Sequence, residues 1–256
     1  MIGAIAGDMI GSLYEGNPVK NNDFDMYVSA FTDDTVLTIA IAYAILNDSD
    51  IAFSLKKFAQ KYHSLPYGRG FKRWIWSWKN EPYNSFGNGS AMRVSPVGFA
   101  YDSIEDVLHQ AKRTAEVTHN HPEGIKGAQS VALAVYLART GESKDTIRKE
   151  ISGRFSYDLN RTVDQIRPEY RFDVSCQGSV PEAIIAFLDS DSYEDAIKKS
   201  ISLGGDADTM ACITGGIAQA YYKKISENIV RNVKDKLPGD LSMILGIFNY
   251  NYRCAF

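Results

Sequence analysis

The stretch Thr35-Val36-Leu37-Thr38-Ile39-Ala40-Ile41-Ala42-Tyr43-Ala44-Ile45-Leu46 predicts a helix, because Val36, Leu37, Ile39, Ala40, Tyr43 and Ala44 recur at three- and four-residue spacing. Outward from it the same periodicity returns over residues 3–14, 51–63, 69–79, 103–117, 124–139, 179–189, 193–202, 209–223 and 239–250. No segment alternates apolar and polar residues convincingly, as a half-buried strand would. Helix-start residues precede several stretches: Asp48 to Asp50 before Ile51, Ser103 before Ile104, Ser192 before Tyr193. Helices joined by short turns predict an all-α fold. With no Pro/Ser/Gly-rich linker and no repeat to mark a boundary, residues 1–256 are expected to form one domain.

The composition is that of a globular chain, 45% hydrophobic and 23% charged, and the net charge of −3 with scattered Lys and Arg gives no general footprint for a nucleic-acid backbone. One basic and aromatic cluster stands out: Arg69, Lys72, Arg73, Trp74, Trp76, Trp78 and Lys79. It reads as an amphipathic helix burying its tryptophans, with a nucleic-acid surface or a wall for an aromatic ligand as alternatives. Cys176, Cys212 and Cys254 are far apart and form no CxxC pair, so a zinc or redox motif is absent and a reducing, cytoplasmic setting is expected. Asp8 interrupts the N-terminal apolar run where a signal peptide would stay apolar, and no run is long enough to span a bilayer.

Two acidic segments look alike. Phe31-Thr32-Asp33-Asp34-Thr35 opens one apolar helix, and Gly204-Gly205-Asp206-Ala207-Asp208-Thr209 opens another. Either segment alone reads as a helix cap, since Asp and Thr accept from the free amides of the first turn and negative charge suits that end of the helix. Capping needs one oxygen, however, and each segment crowds two carboxylates and a hydroxyl together. Brought to one place, four carboxylates would repel and take up protons unless a cation neutralised them. Oxygen donors without His or Cys suit Mg²⁺ or Mn²⁺, and four charges suggest two ions. The glycine and distant Glu of an EF-hand are missing.

A third element, Gly7-Asp8-Met9-Ile10-Gly11-Ser12-Leu13-Tyr14-Glu15, would on a helix place Asp8, Ser12 and Glu15 on one face. That stripe is either a solvent side or the lining of a cavity. Glycines recur within the helical stretches Gly3 to Gly7 and Cys212 to Ala218, where each costs roughly 1 kcal/mol against alanine, which points to close helix packing or to crowding by a ligand.

Five motifs in order, Gly-Asp-x-x-Gly-Ser-x-Tyr-Glu at 7–15, Thr-Asp-Asp-Thr at 32–35, Gly-Asn-Gly-Ser-Ala-Met-Arg at 87–93, Thr-His-x-His-Pro at 118–122 and Gly-Gly-Asp-Ala-Asp-Thr at 204–209, resemble the ADP-ribosylglycohydrolase family. That family includes the dinitrogenase reductase-activating glycohydrolase and the hydrolases of ADP-ribosylarginine and ADP-ribosylserine. The resemblance implies a compact orthogonal helical domain in which Thr32, Asp33, Asp34, Asp206, Asp208 and Thr209 coordinate two Mg²⁺ ions. It further implies that Glu15 lies near the metals and that Gly87, Asn88, Gly89, Ser90 and His119 face the ADP-ribose. A glycine loop leading into a helix would expose amides to phosphate, although a turn capped by Ser90 would look the same. For His119, ligand contact and helix capping stay open.

The expected reaction is hydrolysis of a glycosidic bond between ADP-ribose and a protein side chain or a small conjugate, by an activated water attacking through an oxocarbenium-like transition state. Asp206 is the expected general base, with Glu15 second and Asp34 a further catalytic candidate. Nucleic acid is expected only as a modified substrate. The acceptor linkage and the oligomeric state have no signature in the chain. Residues 140–178 carry no family motif, and residues 60–86 are individual in their Trp and Tyr content, so both are expected to build a specificity rim. Two rival readings are a non-catalytic ADP-ribose-binding or crystallin-like structural member of the fold, which would have no use for four crowded carboxylates, and a two-metal phosphoesterase, which would usually recruit more histidine than the four present.

Overall fold

The computed structural model describes residues Met1–Phe256. Fifteen helices follow one another: α1 (Ile2–Gly11), α2 (Asp33–Asn47), α3 (Ile51–Lys61), α4 (Arg69–Ile75), α5 (Gly89–Met92), α6 (Ser95–Ala100), α7 (Ile104–Glu116), α8 (Pro122–Arg139), α9 (Lys144–Phe155), α10 (Val163–Ile166), α11 (Cys176–Leu188), α12 (Tyr193–Ser202), α13 (Ala207–Tyr222), α14 (Glu227–Lys236) and α15 (Gly239–Asn251). The fold is all-α. The only strand-like pairing is an isolated antiparallel bridge between Gly87 and Ser175.

The centre is the pair α1 and α13. Every residue of α1 is buried, and α13 is buried from Ala207 to Ala220. Gly7 and Gly11 let the two backbones touch: a Cβ on Gly7 would overlap the Ala211 carbonyl oxygen, and one on Gly11 would overlap that of Ala207. Burial of Ile2, Ile5, Met9 and Ile10 on the remaining faces of α1 stabilises the pair by about 2 kcal/mol per side chain. Around this axis, α11, α12 and α8 pack on α13, while α2 packs on α1, α3, α6 and α15.

Local sequence explains where helices begin. Asp50 accepts from the Phe53 amide at 2.7 Å, Ser103 from that of Asp106 at 3.0 Å and Ser192 from that of Asp195 at 3.1 Å, as their positions before apolar runs required. The helix expected over 69–79 instead ends at Ile75. There the Lys56 ammonium takes the carbonyls of Ser77 at 2.7 Å and Lys79 at 2.9 Å and draws the chain away. Trp74 is buried but Trp76 and Trp78 are exposed, so a helix burying three tryptophans does not form. The stretch expected over 3–14 likewise ends at Gly11. Helices α9 and α14 escape the periodicity because each buries only two side chains, Ile147 and Ile151 in one, Ile229 and Val233 in the other.

Candidate active site

The α1–α13 packing carries Asp8 to the start of α13 and against the start of α2. Asp8 is fully buried, and its carboxylate accepts from the Thr32 amide at 3.0 Å, the Thr32 hydroxyl at 2.7 Å, the Thr35 amide at 3.1 Å and the Thr35 hydroxyl at 2.5 Å. A carboxylate borrowed from another helix thus satisfies amides at the start of α2, while the Thr32 hydroxyl accepts from the Asp34 amide. Asp34 is therefore free of capping duty. One of its oxygens lies 3.3 Å from the Thr209 hydroxyl, 175 positions away in the chain, and the other, Oδ1, is buried without any hydrogen-bond partner.

The second acidic segment behaves in the same way. Asp206 occupies the N-cap position of α13, yet its side chain caps nothing; one oxygen accepts from the Asn88 amide group at 2.7 Å. Asp208 uses one oxygen on its neighbour's amide, Thr209, at 2.8 Å. Carboxylate oxygens of Asp8, Asp34 and Asp208 lie within 4.8 Å of one another, as do those of Glu15, Asp206 and Asp208.

Such crowding in a dry place costs energy. Burial and then the Asp208 charge push the carboxyls of Asp8 and Asp33 up to about 7, in Asp8 against the opposing pull of hydrogen bonds from Thr35 and Thr32. The same two causes, in the same order, hold Asp34 and Asp206 well above the usual carboxylate range and raise Glu15. A cation removes that penalty. The orphaned Asp34 oxygen and the wholly oxygen-based donor set fit a hard divalent ion, so these groups could hold a metal.

The cluster forms one wall of a 330 Å³ cavity whose lining includes Glu15, Asp33, Asp34, Gly87, Asn88, Gly89, Arg93, His119, Asp206, Asp208 and Thr209, with Phe71 and Tyr83 as its aromatic part. Gly87 and Asn88 are held by the bridge to residues 174–176: the Asn88 amide donates to the Val174 carbonyl at 2.8 Å and the Cys176 amide to that of Phe86 at 2.9 Å. At Gly89 a Cβ would stand 3.2 Å from His119 Nε2, so the missing side chain keeps that ring beside the loop. Burial, and then the cation of Arg93, lower the His119 imidazole well below its ordinary value, so it is neutral.

The model of the ADP-ribosylglycohydrolase family matches residues 1–247. The chain belongs to the ADP-ribosylglycohydrolase family. It is 29% identical to human ADP-ribosylhydrolase ARH3, over 87% of this chain and 84% of that protein. It is 23% identical to the ADP-ribosylarginine hydrolase Tri1 of Pseudomonas putida (strain GB-1), over 87% of this chain and 69% of that one. A solved structure, an ADP-ribosylglycohydrolase-related protein complex, shares the fold at a TM-score of 0.75 and 22% identity, covering 100% of this chain and 96% of its own. The protein is thus a glycoside hydrolase. No helix in it is long and apolar enough to cross a membrane.

In this glycohydrolase Asp33, Asp34, Asp206, Asp208 and Thr209 converge with Glu15, Gly87, Asn88, Gly89 and His119 on one cavity. Thr32 and Ser90 lie beneath its surface: the Thr32 hydroxyl is engaged by Asp8, and the Ser90 hydroxyl donates to the Gly124 carbonyl at 2.7 Å. His119 does not cap a helix; His121 does, accepting from the Glu123 amide at 3.1 Å. The loop offers fewer free amides than a phosphate cradle would, since the Gly87 amide is bound by the Ser85 hydroxyl and that of Asn88 by Val174. The expected stripe of Asp8, Ser12 and Glu15 is divided by the end of α1. Asp8 is sealed inside, Ser12 donates to the Ala30 carbonyl at 3.0 Å, and Glu15 reaches the cavity from the loop beyond.

Sequence reasoning left the site role of Asp8 open and missed Tyr83 and Phe71. Asp8 had a signal: it is the one charge in an otherwise apolar ten-residue helix, and a buried charge must be partnered. Tyr83 and Phe71 lie in the aromatic segment that matched no motif, and only the fold turns them toward the acids.

Proposed function

We propose that the cavity binds the ADP-ribosyl part of a modified protein or small conjugate and that two Mg²⁺ ions, or Mn²⁺ in their place, are held by Asp33, Asp34, Asp206, Asp208 and Thr209, with Asp8 and Thr32 behind them. The observation that carries this reading is the buried carboxylate cluster with its unpartnered Asp34 oxygen, forming one wall of a cavity that the Asn88–His119 side completes. Bound divalent ions would supply charge neutralisation and Lewis-acid polarisation at the sugar.

The residues of the chain divide the remaining work. Phe71 and Tyr83 offer apolar faces to the substrate, and His119, neutral and largely buried, offers it a hydrogen bond. Asp206 takes the proton of the attacking water. One of its oxygens is fixed by Asn88, which orients the carboxylate on the cavity wall as a general base requires. Glu15, on the loop after α1 and exposed, is placed to pass that proton to solvent. An arginine or serine side chain of a modified protein is the proposed acceptor.

The test is release of free ADP-ribose from ADP-ribosyl-arginine and ADP-ribosyl-serine peptides, with Mg²⁺ and with EDTA, beside a D206N/D208N double variant. Release that needs metal and vanishes in the variant supports the reading and names the linkage. Tight ADP-ribose binding with no release from either peptide would overturn the proposed acceptor and move it to another ADP-ribosyl linkage.

A further inference from the structure

Thr118 joins two functional groups that the mechanism has not connected. Arg93 is completely buried, and its Nη2 donates to the Thr114 carbonyl at 2.9 Å and to the Thr118 hydroxyl oxygen at 2.8 Å. That oxygen lies 2.7 Å from His119 Nδ1. Thr118 is itself fully buried, with these two side chains as the partners of its hydroxyl.

A threonine hydroxyl has one proton to give. The Arg93 guanidinium can only donate, so it takes a lone pair of the Thr118 oxygen and leaves the hydroxyl proton to be placed. Were His119 protonated at Nδ1, Thr118 would accept twice and bury its own proton without an acceptor, at a cost of about 1–3 kcal/mol. With Nδ1 bare, the Thr118 proton goes to it, and the hydroxyl both donates and accepts. The imidazole proton then sits on Nε2, the nitrogen facing Gly89 and the cavity.

We infer that Arg93 and Thr118 are positioning residues that lock His119 as the Nε2–H tautomer and aim that N–H at an acceptor oxygen of the ligand. Arg93 acts twice, since its charge also disfavours a second proton on the ring. The ligand atom recognised is an oxygen carrying negative charge or a free lone pair, such as a phosphate or ribose oxygen; a ligand group that can only donate would be rejected. The inference rests on the reading of the cavity as an ADP-ribose site, while the tautomer can be examined without any ligand.

The experiment uses the full chain with ¹⁵N-labelled histidine, and long-range ¹⁵N–¹H correlation of the ring that disappears in H119N. Wild type should show a bare Nδ1 and a protonated Nε2. T118V, which replaces the hydroxyl with a methyl of equal size, should show a mixture of tautomers and bind ADP-ribose about tenfold more weakly by calorimetry. T118S should restore both the single tautomer and the affinity, which a purely structural role for the threonine methyl would not. A wild-type ring protonated at Nδ1 or at both nitrogens overturns the inference, as does T118V with unchanged spectrum and affinity. If wild type binds no ADP-ribose, the functional reading fails, and the spectra of wild type, T118V and T118S still decide the relay.

Discussion

The side-chain amide of Asn88 donates to Asp206 at 2.7 Å, joining the glycine loop before α5 to the acidic start of α13 across 118 positions of sequence. It is the direct bond between the half of the cavity assigned to the ligand and the half assigned to the chemistry. Removing it in N88A leaves a buried carboxylate oxygen without its donor, a loss of about 1.5–3 kcal/mol for a bond to a charged group. Steady-state kinetics should show kcat/KM falling roughly 10- to 100-fold. A change confined to KM would mean that Asn88 serves binding alone.

The two candidate bases separate by substitution. D206N should lower kcat by about 10³ or more and weaken metal binding, whereas E15Q should cost about 10² and leave metal affinity close to wild type. Rates and metal titrations on the same preparations check this. If E15Q proves the more damaging, the base is Glu15 and Asp206 serves only as a ligand.

Without metal the protein should be more stable in mild acid than at neutral pH. Asp8 and Asp33 hold protons up to about 7 in the fold, above the value of a free aspartate, so the folded state binds more protons than the unfolded chain between those limits. The stability this confers is complete below the unfolded value and is lost as pH rises through about 7. Thermal melts in EDTA should therefore give a Tm lower at pH 8 than at pH 5 by about 5 °C or more, and saturating Mg²⁺ should flatten the dependence. A metal-free Tm that rises over this range would refute the charge-crowded cluster.

The contact at Gly7 should be intolerant of a methyl group. G7A places a Cβ onto the Ala211 carbonyl oxygen, backbone against backbone, with no flexible side chain to yield. Destabilisation of about 3 kcal/mol is expected in denaturant unfolding, together with weakened metal binding because Asp8 moves away from Asp208. A fully stable variant would show that the two helices can separate without cost.

Much of this was legible in the chain. The helix from Thr35 to Leu46 is dictated by its spacing, and the two acidic segments declared themselves because each holds more carboxylates than a cap can use. Asp8 was ambiguous because sequence shows a polar stripe but not what stands across from it; only the close pass of α13 turns a possible solvent face into an interior one. Ser90 could not be distinguished from a ligand contact, since a hydroxyl in a glycine loop looks the same whether it meets phosphate or the Gly124 carbonyl. The ends of α1 and α4 were misplaced because they are set by distant groups, Ala30 drawing in Ser12 and Lys56 gathering the carbonyls of Ser77 and Lys79, which no local window contains.

The intimate pass of α1 across α13 also has a meaning for the order in which the chain is made. Asp8, Asp33 and Asp34 are translated well before Asp206 and Asp208, so the nascent chain passes through a long stretch of synthesis with three aspartates waiting for partners not yet made. A truncated or stalled product that ends before α13 would possess the glycine loop and His119 yet lack the Asp206 and Asp208 half of the acidic cluster. The acidic cluster therefore assembles late and all at once, when α13 packs on α1.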